Sequence, residues 1–201
     1  FSFLVLLLAG CSSVPRVELN REVARRLDTI RIVSETENSK ALSVLSTVSI
    51  SGYGTCMEAS VGDGRGIGPR TLEFLQENDI RLADIVRIQF EQKLIDSGIP
   101  IKIDPNSDNT LRITLNIVVI GMKHGLSREL NCRFNITGEL FSADGKILWA
   151  YNAIPISPIA PGYSLSPEEM FASKESFLAF IKAGSAPIVE KLFRDFARAY
   201  R

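Results

Sequence analysis

Thr110-Leu111-Arg112-Ile113-Thr114-Leu115-Asn116-Ile117-Val118-Val119-Ile120 gives the clearest apolar–polar alternation in this 201-residue chain. A period of two puts Leu111, Ile113, Leu115, Ile117 and Val119 on one face of a strand, and Thr110, Arg112, Thr114 and Asn116 on the other. One apolar and one polar face is the signature of an antiparallel strand packed on one side. Residues 129–141 repeat the pattern, with Leu130, Cys132, Phe134, Ile136 and Leu140 inward and Arg133, Asn135, Thr137 and Glu139 outward. Asp144-Gly145 predicts a type I′ hairpin turn, because both residue types tolerate positive φ. Ile147, Trp149 and Tyr151 then return along the next strand, which makes an antiparallel meander.

Upstream, Leu82, Val86, Phe90 and Leu94 recur at helical spacing up to Gly98-Ile99-Pro100, and Ile85, Ile88 and Ile95 widen the apolar stripe. Ile101-Lys102-Ile103 reads as a short strand, and Pro69 opens a short helix carrying Leu72 and Leu75. Leu42, Val44, Val48 and Ile50 predict a strand over 41–51. Residues 17–30 place Val17, Val23, Leu27 and Ile30 at helical spacing among Arg21, Arg25 and Arg26. That helix either rests on anionic headgroups or shows an ordinary solvated face, and 29–34 can instead be a first strand. Downstream, Ser166-Pro167-Glu168-Glu169 is a capping box, and Phe171, Phe177, Leu178 and Ile181 supply the apolar face of its helix. Gly184-Ser185-Ala186-Pro187 should break or kink that helix before Ile188, Leu192, Phe196 and Tyr200 continue it. The expected fold is α+β: an antiparallel meander of about four or five strands with helices on one face, a two-layer sandwich.

An apolar fraction of 45% and a charged fraction of 23% suit one globular domain, placed at 17–201. Lys+Arg and Asp+Glu are both 23, and this balance argues against a general nucleic-acid binder, which needs a basic excess. Gly62, Gly64, Arg65, Gly66 and Gly68 invite a phosphate-loop reading, but the Gly-Lys-Ser/Thr that grips a nucleotide is missing. No nucleotide is expected. This segment, and the proline-rich stretch 154–165 with Pro158, Pro161 and Tyr163, read instead as surface loops suited to partner contact. His124, the one histidine, has Ser127 nearby but neither a nucleophile-elbow motif nor clustered carboxylates. No catalytic residue, metal site or cofactor is expected, and the chain is read as a non-enzyme.

Residues 1–10 are apolar and uncharged, and Leu8-Ala9-Gly10-Cys11 resembles the lipobox of bacterial lipoproteins. The resemblance implies a signal peptide over 1–10 (truncated at its N-terminus), cleavage before Cys11, and diacylation of the Cys11 sulfur. Residues 11–16 then form a short tether, so the domain works close to the bilayer. Ser12 resembles an outer-membrane sorting residue, which places the protein facing the periplasm, at the outer rather than the inner membrane. The order of elements resembles small α+β accessory lipoproteins of envelope machines, such as transport-auxiliary lipoproteins, and no functional residue carries over from them. Membrane lipid through Cys11 and a protein partner in an envelope complex are the expected partners. The rival readings are an envelope hydrolase acting on peptidoglycan or lipid, and a carrier with an apolar pocket between helices and sheet. With Cys11 lipidated, Cys56 and Cys132 are an even pair in an oxidising compartment. They form either a disulfide or two buried free thiols.

Overall fold

The computed structural model describes residues 15–36, 66–122, 128–154 and 164–201. Five strands form one sheet: β1 (Thr29–Thr36), β2 (Lys102–Ile103), β3 (Thr110–Met122), β4 (Leu130–Phe141) and β5 (Ile147–Ala153), in the order β2-β1-β3-β4-β5. The β3–β4–β5 part is the expected meander. The rest corrects the expectation, because β1 lies parallel to both β2 and β3. Parallel neighbours need a crossover connection, and the chain between β1 and β2 includes α2 (Ile67–Glu77) and α3 (Leu82–Asp96). The strand expected over 41–51 lies outside the described residues.

Within β3 the alternation holds through Leu115 and then changes phase. A register shift falls between Leu115 and Ile117, after which Val118 and Ile120 are buried and Ile117 is exposed. One extra residue in a strand sends every later side chain to the opposite face. Asn116, at the shift, spends its side-chain amide on Asn135 Oδ1 (3.0 Å) and Thr137 Oγ1 (2.8 Å) of β4. β4 keeps its phase: Leu130, Cys132, Phe134, Ile136 and Leu140 are all buried. The β4–β5 hairpin forms with a different turn from the one expected. Gly145 is at φ +79° while Asp144 is not at positive φ, and the Gly145 N–H donates to the Ser142 carbonyl. A three-residue loop closed by a left-handed glycine replaces the two-residue type I′ turn.

The helices cover one face of the sheet, as expected. α5 (Lys174–Phe196) lies on β4 and β5, and α3 packs beside it on β1 and β3. Phe90, Phe177, Phe180, Leu192 and Phe196 are buried in the core, with Phe90 against Phe193 and Phe196 and Phe177 against Phe74 and Phe171. Ile88 and Ile95 do not join them. At 53% and 64% exposure they mark the outer side of α3 and narrow its apolar stripe. The capping box at Ser166 forms with both bonds, yet its helix α4 (Pro167–Met170) is a single turn, and Ser173 caps α5 anew.

α5 runs through Pro187 without the break that was one of the two expected outcomes there. Proline removes one backbone donor, that of its own residue, and packing along the buried face outweighs the loss. Ser185, two residues earlier, is buried with its hydroxyl donating to the Ile181 carbonyl and accepting from Gln89 Nε2 of α3. At the chain's start, the helix expected over 17–30 shrinks to α1 (Arg21–Arg25). Asn20 caps it, and β1 takes the residues from Thr29 onward. No helix among the described residues is long and apolar enough to cross a membrane.

Candidate functional site

Val17 reaches the sheet ahead of α1 and β1. It exchanges two backbone bonds with Ala150 of β5, N–H to carbonyl in each direction at 2.9 Å. This bridge covers part of the β5 edge and fixes the position of Arg16. The guanidinium of Arg16 lies over the Tyr151 ring, 5.6 Å from its centroid, and its Nη2 donates to Asp195 Oδ2 at 2.8 Å.

Asp195 sits in the last turn of α5, where the carbonyl end of the helix disfavours negative charge. It is also buried, with 5% of its side chain exposed. The surroundings account for it. Trp149 Nε1 donates to Oδ1 at 3.1 Å, while Oδ2 takes Arg16 and has Arg198 Nη1 at 3.3 Å. Trp149 is itself fully buried and needs an acceptor for its indole N–H. The carboxylate therefore satisfies the core indole on one side and two surface guanidiniums on the other.

Outside this group lies a cavity of about 280 Å³ lined by Arg16, Glu18, Arg21, Asp195 and Arg198, with Leu19 and Ala199 completing the wall. Glu18 Oε1 is 3.2 Å from Arg16 Nη2 and is largely exposed at the rim. Arg21 has no ion pair among the described residues. The last turn of the chain, a 3₁₀ helix over Ala197–Tyr200, carries Arg198 into this wall and packs against α1. Three guanidiniums and two carboxylates make a polar, anion-seeking recess.

The residues singled out from the sequence are distributed otherwise. Cys11, Cys56, Gly62, Gly64, Arg65, His124, Ser127, Pro158, Pro161 and Tyr163 lie outside the described residues. Gly66 and Gly68 do not sit in a loop: Gly66 caps α2, and Gly68 is buried in its first turn. Cys132 is a free thiol, buried beneath α5, with Sγ 3.5 Å from the Phe180 carbonyl. Burial pushes its pKa up to about 12. Gly184 is the reason the helix can lie this close, since a Cβ there would stand 2.0 Å from Cys132 Sγ. No group of three or more potential metal ligands occurs among the described residues.

Sequence reasoning missed the Trp149–Asp195–Arg16 group. One local clue existed, an aspartate on the Ile188–Leu192–Phe196 face of a helix at its unfavourable end. Its partners lie 46 and 179 residues away.

No family model matches the chain, and no curated protein matches it. Among solved structures it is similar to the crystal structure of protein XCC0632 from Xanthomonas campestris, family-model DUF330. The two share 12% identity at a TM-score of 0.41, over 89% of this chain and 83% of that one.

Proposed function

We propose that this chain is a membrane-anchored envelope lipoprotein, held through Cys11, that serves as a non-catalytic accessory subunit or adaptor of an envelope transport or assembly complex. The observation that carries this reading is the Val17–Ala150 bridge. The chain joins the sheet six residues after Cys11, so an extended tether spans at most about 21 Å. A domain on so short a leash stays at the membrane surface and meets partners there in a restricted set of orientations. The rest of the domain fits a scaffold. The helix–sheet interface is filled with large apolar side chains, while Ile88 and Ile95 of α3 face outward.

Fractionation and crosslinking test the two halves of the reading separately. Cys11→Ala should move the protein from the membrane fraction to soluble or unprocessed material, because the thiol that carries the acyl chains is gone. Affinity purification of the wild-type protein from crosslinked envelopes should recover a defined partner complex. Unchanged membrane attachment of Cys11→Ala rejects the anchor, and a solitary monomer after crosslinking rejects the adaptor. Hydrolysis of peptidoglycan or lipid by the purified protein would replace the adaptor with an enzyme.

A further inference from the structure

We infer that the cavity between residues 16–21 and the end of α5 is a phosphate site, and that its occupant is the phosphate of an anionic lipid headgroup. Arg16, Arg21 and Arg198 line it against Glu18 and Asp195, which leaves one net positive charge in about 280 Å³. That excess falls on Arg21. Both Asp195 oxygens are already engaged, Oδ1 by the Trp149 indole and Oδ2 by Arg16 and Arg198. The remaining carboxylate, Glu18, is 78% exposed and free to swing from Arg16 into water. Arg21 brings a guanidinium that no carboxylate among the described residues holds.

Guanidinium groups on three separate segments favour phosphate over carboxylate. A carboxylate presents two oxygens in one plane, whereas a phosphate offers oxygens in several directions that donors from separate segments can meet. The headgroup source follows from the leash. Arg16 lies five residues after Cys11, so the cavity is within about 18 Å of the anchored sulfur along an extended chain. This source rests on the anchoring reading above, but the phosphate chemistry does not.

The test uses the full chain in a neutral detergent, titrated with glycerol 3-phosphate, with Arg21→Gln, Arg25→Gln and Glu18→Gln beside it. Arg25 is an exposed residue of α1 that does not line the cavity, so its variant removes the same charge without touching the site. Arg21→Gln should weaken binding about tenfold, the loss of one hydrogen-bonded charge. Arg25→Gln should stay within about twofold, and Glu18→Gln should tighten binding by releasing Arg16. Equal losses in the two arginine variants, or no binding by wild type, would overturn the site. A second arm reconstitutes the full chain in phosphatidylcholine vesicles carrying either phosphatidylglycerol or an equal charge of fatty acid, and repeats the titration. Weaker glycerol 3-phosphate binding beside phosphatidylglycerol than beside fatty acid supports the headgroup, which then competes for the cavity. Equal binding in the two vesicles overturns the headgroup source and assigns the cavity to a free phosphate ester. None of these variants alters Cys11, so anchoring stands or falls by fractionation alone.

Discussion

The two ends of the contact between α5 and the sheet are built on opposite terms. At Gly184 the helix backbone approaches Cys132 so closely that no side chain fits between them, and the contact is dry. At Asp195, eleven residues on, the same helix meets β5 through a carboxylate, an indole and an arginine, and the contact opens onto a polar cavity. The first end is held by shape, where the cost of change rises steeply with volume. The second is held by hydrogen bonds whose outer partners are half in water and can be rehydrated. One helix thus carries a rigid seam and an adaptable one, and the adaptable one lies beside the incoming chain.

The largest effect should come from filling the dry end. Gly184→Val places a branched side chain where even a Cβ would be 2.0 Å from Cys132 Sγ and 3.1 Å from its carbonyl oxygen. Denaturant unfolding should show a loss of about 3 kcal/mol, the upper range for overpacking. Gly184→Ala should lose less, and adding Cys132→Ala should restore most of it, because the sulfur is the worst clash. An Ala variant as stable as wild type would show that the seam has slack. Next comes the wet end. Asp195→Ala strands the buried Trp149 N–H, while Arg16 and Arg198 regain water, and it should cost about 2 kcal/mol. Asp195→Asn keeps an acceptor for the indole and should recover part of that. If Asn costs as much as Ala, the charge rather than the hydrogen bond holds this end.

The same contrast explains which parts could be read from the sequence. β4 was legible because its apolar residues alternate with Arg133, Asn135 and Glu139, so only one phase buries the right side chains. The second half of β3 was not. Ile117, Val118, Val119 and Ile120 are all apolar, so either phase is consistent with the sequence and the register shift leaves no mark. The parallel placement of β1 depends on a pairing across about 80 residues, which periodicity does not encode. Pro187 misled for a related reason. The local bias against proline inside a helix yields there to tertiary packing along Phe180, Ile188, Val189 and Leu192. The cavity combines residues from both ends of the chain and was beyond any local pattern.

A third prediction uses pH to probe the dry end. The Cys132 thiol ionises near 9.0 in the unfolded chain and near 12 when buried. Between those values the unfolded state has lost its proton and the folded state has not, so stability falls as pH rises. The contribution is fully present below pH 9 and declines through the window from 9 to about 12, by up to about 1.4 kcal/mol per pH unit. Urea midpoints at pH 8 and pH 10 should therefore differ more for wild type than for Cys132→Ala. Thiol labelling of denatured, unreduced protein checks the premise, since a bond to Cys56 would remove both the label and the pH effect. Identical slopes for wild type and Cys132→Ala, with the thiol labelled on denaturation, would mean that water reaches the sulfur and the seam is not dry.

The smallest effect should be at Arg198, and it bears most directly on how adaptable the wet end is. Its guanidinium lies 3.3 Å from Asp195 Oδ2 but is 65% exposed. Removing it leaves Asp195 with the Trp149 donor at 3.1 Å and the Arg16 donor at 2.8 Å, so no buried group loses its last partner. A pair of this kind is worth about 0.5 kcal/mol, and salt screens the exposed partner. Arg198→Gln should therefore cost about 0.5 kcal/mol at low ionic strength and nearly nothing at about 1 M NaCl. Asp195→Ala should remain costly in both buffers, because the stranded indole N–H is buried away from the salt. A loss for Arg198→Gln that matches Asp195→Ala and persists in salt would mean the three charges act as one buried network. The end of α5 beside the cavity would then be as rigid as its middle at Gly184.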